Sequence, residues 1–248
     1  MNKRKLIITL GLISSMGIST TAMAAEKALS EAQQAEVKAL IGSYLKENPE
    51  VVIEAIQAWR SKQDAAEAAM ISEGIKELLA EADNTRSPVW GNPKGDVTVV
   101  EFFDYNCPYC KSVFPSMKQL IKDDGSIKVV MKELPVLGAN SLYAAKAALA
   151  AQKQGKYEQF HAQMMNKDSR LSPAGVMAAA KQVGLDIDRL KKDMESAEVA
   201  EELDRSSAWA QRLGIGGTPA FIIGEELIPG AIDGRQMKRY VDKARAAK

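Results

Sequence analysis

Two cysteines, Cys107 and Cys110, are the only thiols in the 248-residue chain, and they frame the tetrapeptide Cys107-Pro108-Tyr109-Cys110. A β-branched and aromatic run, Val97 to Asp104, leads into this segment, and a helical pattern leaves it. Two thiols three positions apart at a helix start can close a disulfide without unwinding the chain. The first sits among unpaired backbone N–H groups at the positive end of the helix dipole, which favours its thiolate. Thiolate is the reactive form, and C-x-x-C settings lower a thiol from about 8.5 to roughly 3.5–7.5. Cys107 therefore reads as the attacking residue and Cys110 as the one that resolves the mixed disulfide. Pro108 removes one donor and stiffens the turn, and Tyr109 offers an aromatic wall without charge. Half a metal site is a poor reading, because the single histidine, His161, is the only further Cys/His ligand. A purely structural disulfide over so short a loop would constrain little.

The elements that must position this pair are legible as patterns. Strand 97–104, a helix to about Lys122, a turn at Asp123-Asp124-Gly125 and strand 127–134 make a βαβ unit with a right-handed crossover expected. Helices fill 140–213, punctuated by Gly155, Ser172-Pro173 and Gly184. A short strand around 218–224, a return strand from Leu227 and a basic amphipathic helix from Gly234 complete the unit. The cluster Gly214-Ile215-Gly216-Gly217 lacks the lysine and spacing of a phosphate loop and reads as a loop entering the Thr218-Pro219 turn. His161, in Tyr157-Glu158-Gln159-Phe160-His161, reads as a surface or helix-packing residue.

Upstream, residues 29–83 are helical in pattern, broken and restarted at Asn48-Pro49-Glu50. Val37, Leu40, Ile41, Tyr44 and Leu45, then Val52, Ile56, Trp59, Ala66, Met70 and Leu78, give an apolar stripe longer than one globular helix needs. An association region over 25–86 is expected, bounded by the turn formers at 84–96. Before it, Met1-Asn2-Lys3-Arg4-Lys5, an apolar run to about Ile18 and Ala22-Met23-Ala24 describe a cleaved signal peptide over residues 1–24. The apolar run is too short and too broken for a comfortable membrane span. Cleavage leaves 224 residues with 30 basic and 32 acidic side chains, so the whole-chain charge of +1 becomes −2. That balance carries no nucleic-acid signature. The composition, 46% hydrophobic and 26% charged, is that of a soluble globular protein. Export places the dithiol in an oxidising compartment.

The segments VTVVEFFDYNCPYC and GGTPAFII, in this order with helices between, resemble the DsbA-like branch of the thioredoxin superfamily over residues 97–248. The resemblance implies an α/β thioredoxin fold with an inserted helical subdomain, preceded by the N-terminal helical region, the redox domain running from 87 to 248. It implies a cis bond at Thr218-Pro219 facing the dithiol, with the Thr218 backbone pairing an extended substrate. It also implies an acid beneath the site, at Glu101, to accept or relay the Cys110 proton, with Lys132 in the neighbouring strand as either its partner or an edge-strand lysine. The substrate would meet Pro108, Tyr109 and Thr218. The N-terminal helices resemble the ScsC-type subgroup, which is linked to copper tolerance and disulfide isomerisation and includes oligomers. Thr before the proline is similar to the disulfide isomerases. The expected activity is thus periplasmic thiol–disulfide exchange on unfolded or misoxidised secreted proteins, without organic cofactor or metal. Isomerisation would need a membrane thiol reductase (DsbD-like), and oxidation a membrane oxidase (DsbB-like). A rival of another class is a Cu(I)-binding protein using Cys107 and Cys110, since soft thiolates suit that ion.

Overall fold

A computed structural model describes residues 29–166 and 171–247. The signal peptide read from residues 1–24 lies outside them. The chain divides into two compact units, Met1–Trp59 and Arg60–Lys248. Among the described residues no helix is long and apolar enough to cross a membrane.

In the first unit, α1 (Glu31–Glu47) starts at Ser30, whose side chain and Gln33 cap each other's backbone N–H groups. It ends at Asn48, and α2 (Pro49–Asp83) restarts with proline at its first position, where a missing N–H costs nothing. No residue of α1 is buried. Val37, Leu40, Ile41 and Tyr44 of α1, and Val52, Ile53, Ile56 and Trp59 of α2, are each at least 41% exposed.

The second unit is built on a five-stranded sheet of order β1-β3-β2-β4-β5. Its strands are β1 (Val89–Gly91), β2 (Val97–Phe103), β3 (Ile127–Glu133), β4 (Ala220–Ile223) and β5 (Glu226–Pro229). The β2 and β3 strands run parallel, joined through α3 (Pro108–Asp124), as the βαβ reading requires. Gly125 closes α3 with a positive φ of 66°, a conformation that favours glycine. The neighbours of the parallel pair, β4 on β2 and β1 on β3, are antiparallel. Between β3 and β4 lie α4 (Ala139–Gln152), α5 (Tyr157–Met165), α6 (Pro173–Gln182), α7 (Ile187–Met194) and α8 (Ala197–Arg212), and α9 (Gly234–Ala246) ends the chain. A sheet of this order with inserted helices is the thioredoxin-like architecture of the DsbA type. Strand β1 falls in the stretch read as loop. Three residues are too few to show alternation, and it forms because Trp90 is buried and stacks on Phe114 at 5.5 Å.

Side chains alternate across the central strands and divide the core in two. Val97, Val99 and Phe103 of β2, Val129 and Met131 of β3 and Phe221 of β4 meet Cys110, Phe114 and Met117 of α3. On the other face Val100, Phe102, Val130 and Ile222 meet Ile75, Leu78 and Ala82 of α2 and Ala210 of α8. Each such buried large side chain contributes about 1.5–3 kcal/mol. The C-terminal third of α2 is therefore part of the second unit's core, and the turn-rich segment 84–96 lies within that unit. The last turn of α2 has no basic residue of its own. Lys128 of β3 serves it instead, donating through Nζ to the Ala82 carbonyl at 2.6 Å.

Candidate active site

The connection from β2 to α3 is Asp104-Tyr105-Asn106, and all three side chains are hydrogen-bonded inside the protein. Asp104 Oδ1 accepts the Asn106 N–H at 2.7 Å, Oδ2 accepts the Leu137 N–H at 3.0 Å, and its carbonyl accepts the Cys107 N–H at 3.0 Å. Asn106 in turn accepts the Leu171 N–H at 2.6 Å and donates to Ser141 Oγ at 3.2 Å. Asp and Asn act here as side-chain turn formers, and the turn delivers Cys107 to the N-cap of α3, with Pro108 at the first helical position.

Both cysteines are free thiols. Cys110 is fully buried, whereas Cys107 is 4% exposed and is the one of the pair that reaches the surface. The Cys107 sulfur caps none of the helix N–H groups, which differs from the sequence reading. It donates instead to the Thr218 carbonyl at 3.2 Å, across 111 positions of sequence. Burial pushes the Cys110 thiol well up; a hydrogen bond from the Asp104 backbone opposes this, and Coulombic repulsion from Glu101, once it is ionised, reinforces it. The Thr218-Pro219 bond is cis. The Pro219 carbonyl accepts the Gly230 N–H at 2.9 Å, which ties this loop to the end of β5. Tyr109, Thr218 and Pro219 line one open groove of about 570 Å³, with Tyr109 65% exposed over it. Cys107, Cys110, Pro108, Tyr109, Thr218 and Pro219 thus meet at one place.

Glu101 stands on the α3 face of β2, registered against Met131 on one side and Phe221 on the other. It is buried among apolar side chains, and burial raises its carboxyl from the usual 4.5 to about 8. Lys132 is not its partner. Lys132 registers with Phe102, one position on, so its side chain emerges on the opposite face. There Nζ lies 3.2 Å from Glu81 and 3.6 Å from Glu202. Nor is it an edge-strand residue, since β3 runs between β1 and β2 and the lysine is buried.

The sequence reading missed Glu133, which alternation places on the Glu101 face with Met131. Its Oε1 accepts from Tyr105 Oη at 3.2 Å and Tyr157 Oη at 3.0 Å, while Oε2 is buried without a partner. Burial raises its carboxyl well above the usual range, against the pull of the two phenols. Tyr105 Oη also lies 2.9 Å from Nδ1 of His161. That histidine is buried and not at the surface, ringed by Trp90, Phe103, Phe114 and Tyr157. Burial lowers its imidazole from 6.5 to about 3. The unfolded chain therefore binds a proton there between these values that the native state refuses, and stability falls as pH falls through that window. Melting temperatures at pH 4 and pH 7 check this: His161→Phe is expected to lose less stability between the two than the unaltered chain. Equal losses would mean the imidazole is not held neutral.

Among the described residues no group of three or more His, Cys, Asp or Glu side chains could hold a metal ion.

Comparison with known proteins gives this geometry a family. Residues 98–242 match the model of the DSBA-like thioredoxin domain, and residues 33–66 match that of the copper resistance protein ScsC N-terminal domain. A thioredoxin-like oxidoreductase from Silicibacter pomeroyi is 45% identical over 68% of this chain and 98% of its own, with a TM-score of 0.66. A linker-deletion mutant of Proteus mirabilis ScsC is 28% identical over 90% of this chain and 100% of its own, with a TM-score of 0.68. The Na(+)/H(+) antiporter NhaA 3 of Salinispora tropica is 32% identical over 61% of this chain, which spans only 24% of that relative's length. By the match over residues 98–242, this chain belongs to the DSBA-like thioredoxin domain family.

Proposed function

We propose that the chain catalyses thiol–disulfide exchange on secreted polypeptides in the periplasm, working chiefly as a disulfide isomerase or reductase. The observation that carries the reading is the contact of Cys107, with Cys110 buried behind it, on the carbonyl of Thr218, a residue that itself lines an open groove. The Cys107 thiolate attacks a substrate disulfide, forming a mixed disulfide and releasing one substrate thiolate. Cys110 then loses its proton to Glu101, in the fraction of molecules whose carboxyl is ionised, and attacks the Cys107 sulfur. The second substrate thiolate leaves, the substrate gains two electrons and the enzyme is left as the Cys107–Cys110 disulfide. A carboxyl raised to about 8 exchanges its proton near neutral pH, so both its forms are present where the reaction runs. In isomerisation the released substrate thiolate instead attacks the mixed disulfide from another position, and the enzyme returns reduced. The Thr218 backbone pairs the substrate as an added strand. A DsbD-like membrane thiol reductase restores the dithiol after each full reduction.

The preference for isomerisation rests on the first unit. A set of exposed apolar residues from Val37 to Trp59 is a surface to be covered, and copies of this chain covering it would shield the dithiol from a membrane oxidase. Residues 25–86 would then supply association and 87–248 the chemistry, with the end of α2 packed into the latter.

Refolding of a scrambled multi-disulfide protein tests the assignment. The reduced full chain is expected to restore native activity at least about tenfold faster than a small dithiol at equal thiol concentration. A chain that only introduces disulfides into a reduced substrate would be an oxidase, and the isomerase reading would fall.

A further inference from the structure

Gly216 and Gly217, in the loop that enters Thr218-Pro219, are glycines that the fold does not need. Neither has the positive φ that favours glycine, and a β-carbon on either would meet no atom within 4 Å. Neither a left-handed backbone nor a clash at the β-carbon requires glycine at these two positions. What the missing side chains do is leave backbone bare along the floor of the groove that holds Tyr109, Thr218 and Pro219. Bare glycine backbone beside a reactive group suits close approach by another chain.

That groove does not stop at the loop. At Gly214 it adjoins a second open groove of about 550 Å³, walled by the 63–73 stretch of α2 and by Gln211 and Arg212 at the end of α8. Met70, 65% exposed, and Ala66 supply its apolar surface. An exposed methionine is flexible and polarisable and adapts to many apolar partners. The charge of this wall is negative. Arg212 is already held by both Glu77 oxygens, at 2.5 and 2.6 Å, and Glu67 and Glu73 face the same groove.

We infer that the two grooves form one track, and that a substrate segment bound through Cys107 runs over Gly216-Gly217 onto the Ala66–Met70 face of α2. The occupant is an extended apolar segment of a non-native secreted polypeptide, with basic residues favoured where it passes Glu67 and Glu73. Continuity with Thr218, whose carbonyl meets the Cys107 thiol, is what argues for substrate here over a second copy of the chain. The inference rests on the proposed exchange reaction and adds to it a subsite that reads sequence away from the cysteine. The long helix thereby takes part in substrate selection.

The test compares two disulfides on the full chain. One is a small aromatic disulfide that reaches Cys107 alone. The other is a peptide of about twelve residues with a central cysteine disulfide, made with lysine or with glutamate flanks. Gly216→Val fills the floor and Met70→Lys reverses the character of the wall. Each is expected to lower kcat/KM for the lysine-flanked peptide about tenfold and to leave the small disulfide within twofold. The unaltered chain should prefer lysine flanks several-fold. Equal losses on both disulfides, or no loss on the peptide, would overturn the track. So would a fall in particle mass for Met70→Lys by light scattering, which would make another copy the occupant. An unaltered chain inert toward both disulfides would overturn the exchange reaction itself; one that reacts with the peptide, but no differently from Gly216→Val, would overturn the track alone.

Discussion

Cys107→Ser is expected to lower the rate of disulfide reduction by about four orders of magnitude, leaving only background exchange. No other sulfur can take its place, because Cys110 is fully buried behind it and burial holds that thiol protonated. The partner variant behaves differently. Cys110→Ser keeps the nucleophile and removes the group that resolves, so a covalent adduct through Cys107 should accumulate and dissolve on adding a thiol. Insulin turbidity in the presence of dithiothreitol measures the first effect, and non-reducing electrophoresis the second. Substantial activity of Cys107→Ser, or an adduct on Cys110 in place of Cys107, would reverse the assigned order.

Glu101→Gln is expected to change stability and rate together. In the unfolded chain this carboxyl ionises near 4.5, whereas burial holds the native group protonated up to about 8. Between those values the native state binds the extra proton, so stability declines as pH rises from about 4.5 to about 8. A displacement of that size corresponds to roughly 5 kcal/mol, which is comparable with the whole stability of a small domain. Glutamine cannot ionise, so denaturant unfolding at pH 5 and at pH 8 should differ far less in the variant than in the unaltered chain. Parallel losses would show that the acid is already ionised in the native state. The chemistry provides a second reading of the same residue. Without a proton acceptor beneath Cys110, resolution of the mixed disulfide should slow by about 10²-fold at neutral pH, while its formation at Cys107 is little changed.

Much of the reactive inventory was legible because it is local. The thiol spacing, the strand running into Cys107 and the helix leaving from Pro108 are all contained in residues 97–124, and the structure forms them with boundaries moved by at most two residues. The break at Asn48-Pro49 was legible for the same reason: proline lacks a donor whatever surrounds it. Strand β1 was not, since its three residues become a strand only by pairing with β3.

Glu101 and Lys132 show where local reading ends. Both are charged residues inside apolar strands, and the sequence offered them as neighbours. Which face each one takes depends on the register of β2 against β3, and that register puts Met131 beside Glu101 and Lys132 beside Phe102. A slip of one residue would have reversed the answer. The cluster of Glu133, Tyr105, Tyr157 and His161 was invisible for a related reason, because its members come from β3, the β2–α3 connection and α5. Alternation from Met131 could have flagged Glu133 as buried, but nothing local names its partners.

Spacing, periodicity and the backbone limits of proline and glycine are enough to specify the reactive pair, the elements on either side of it and, strand β1 apart, the order of strands and helical stretches along the chain. Three further facts emerge on folding: Cys107 meets the Thr218 carbonyl, Glu101 is buried without Lys132, and the end of α2 closes the second face of the sheet. Those are contacts between segments far apart in the chain. They depend on β4 entering antiparallel beside β2 and on the parity of each strand, which no single segment encodes.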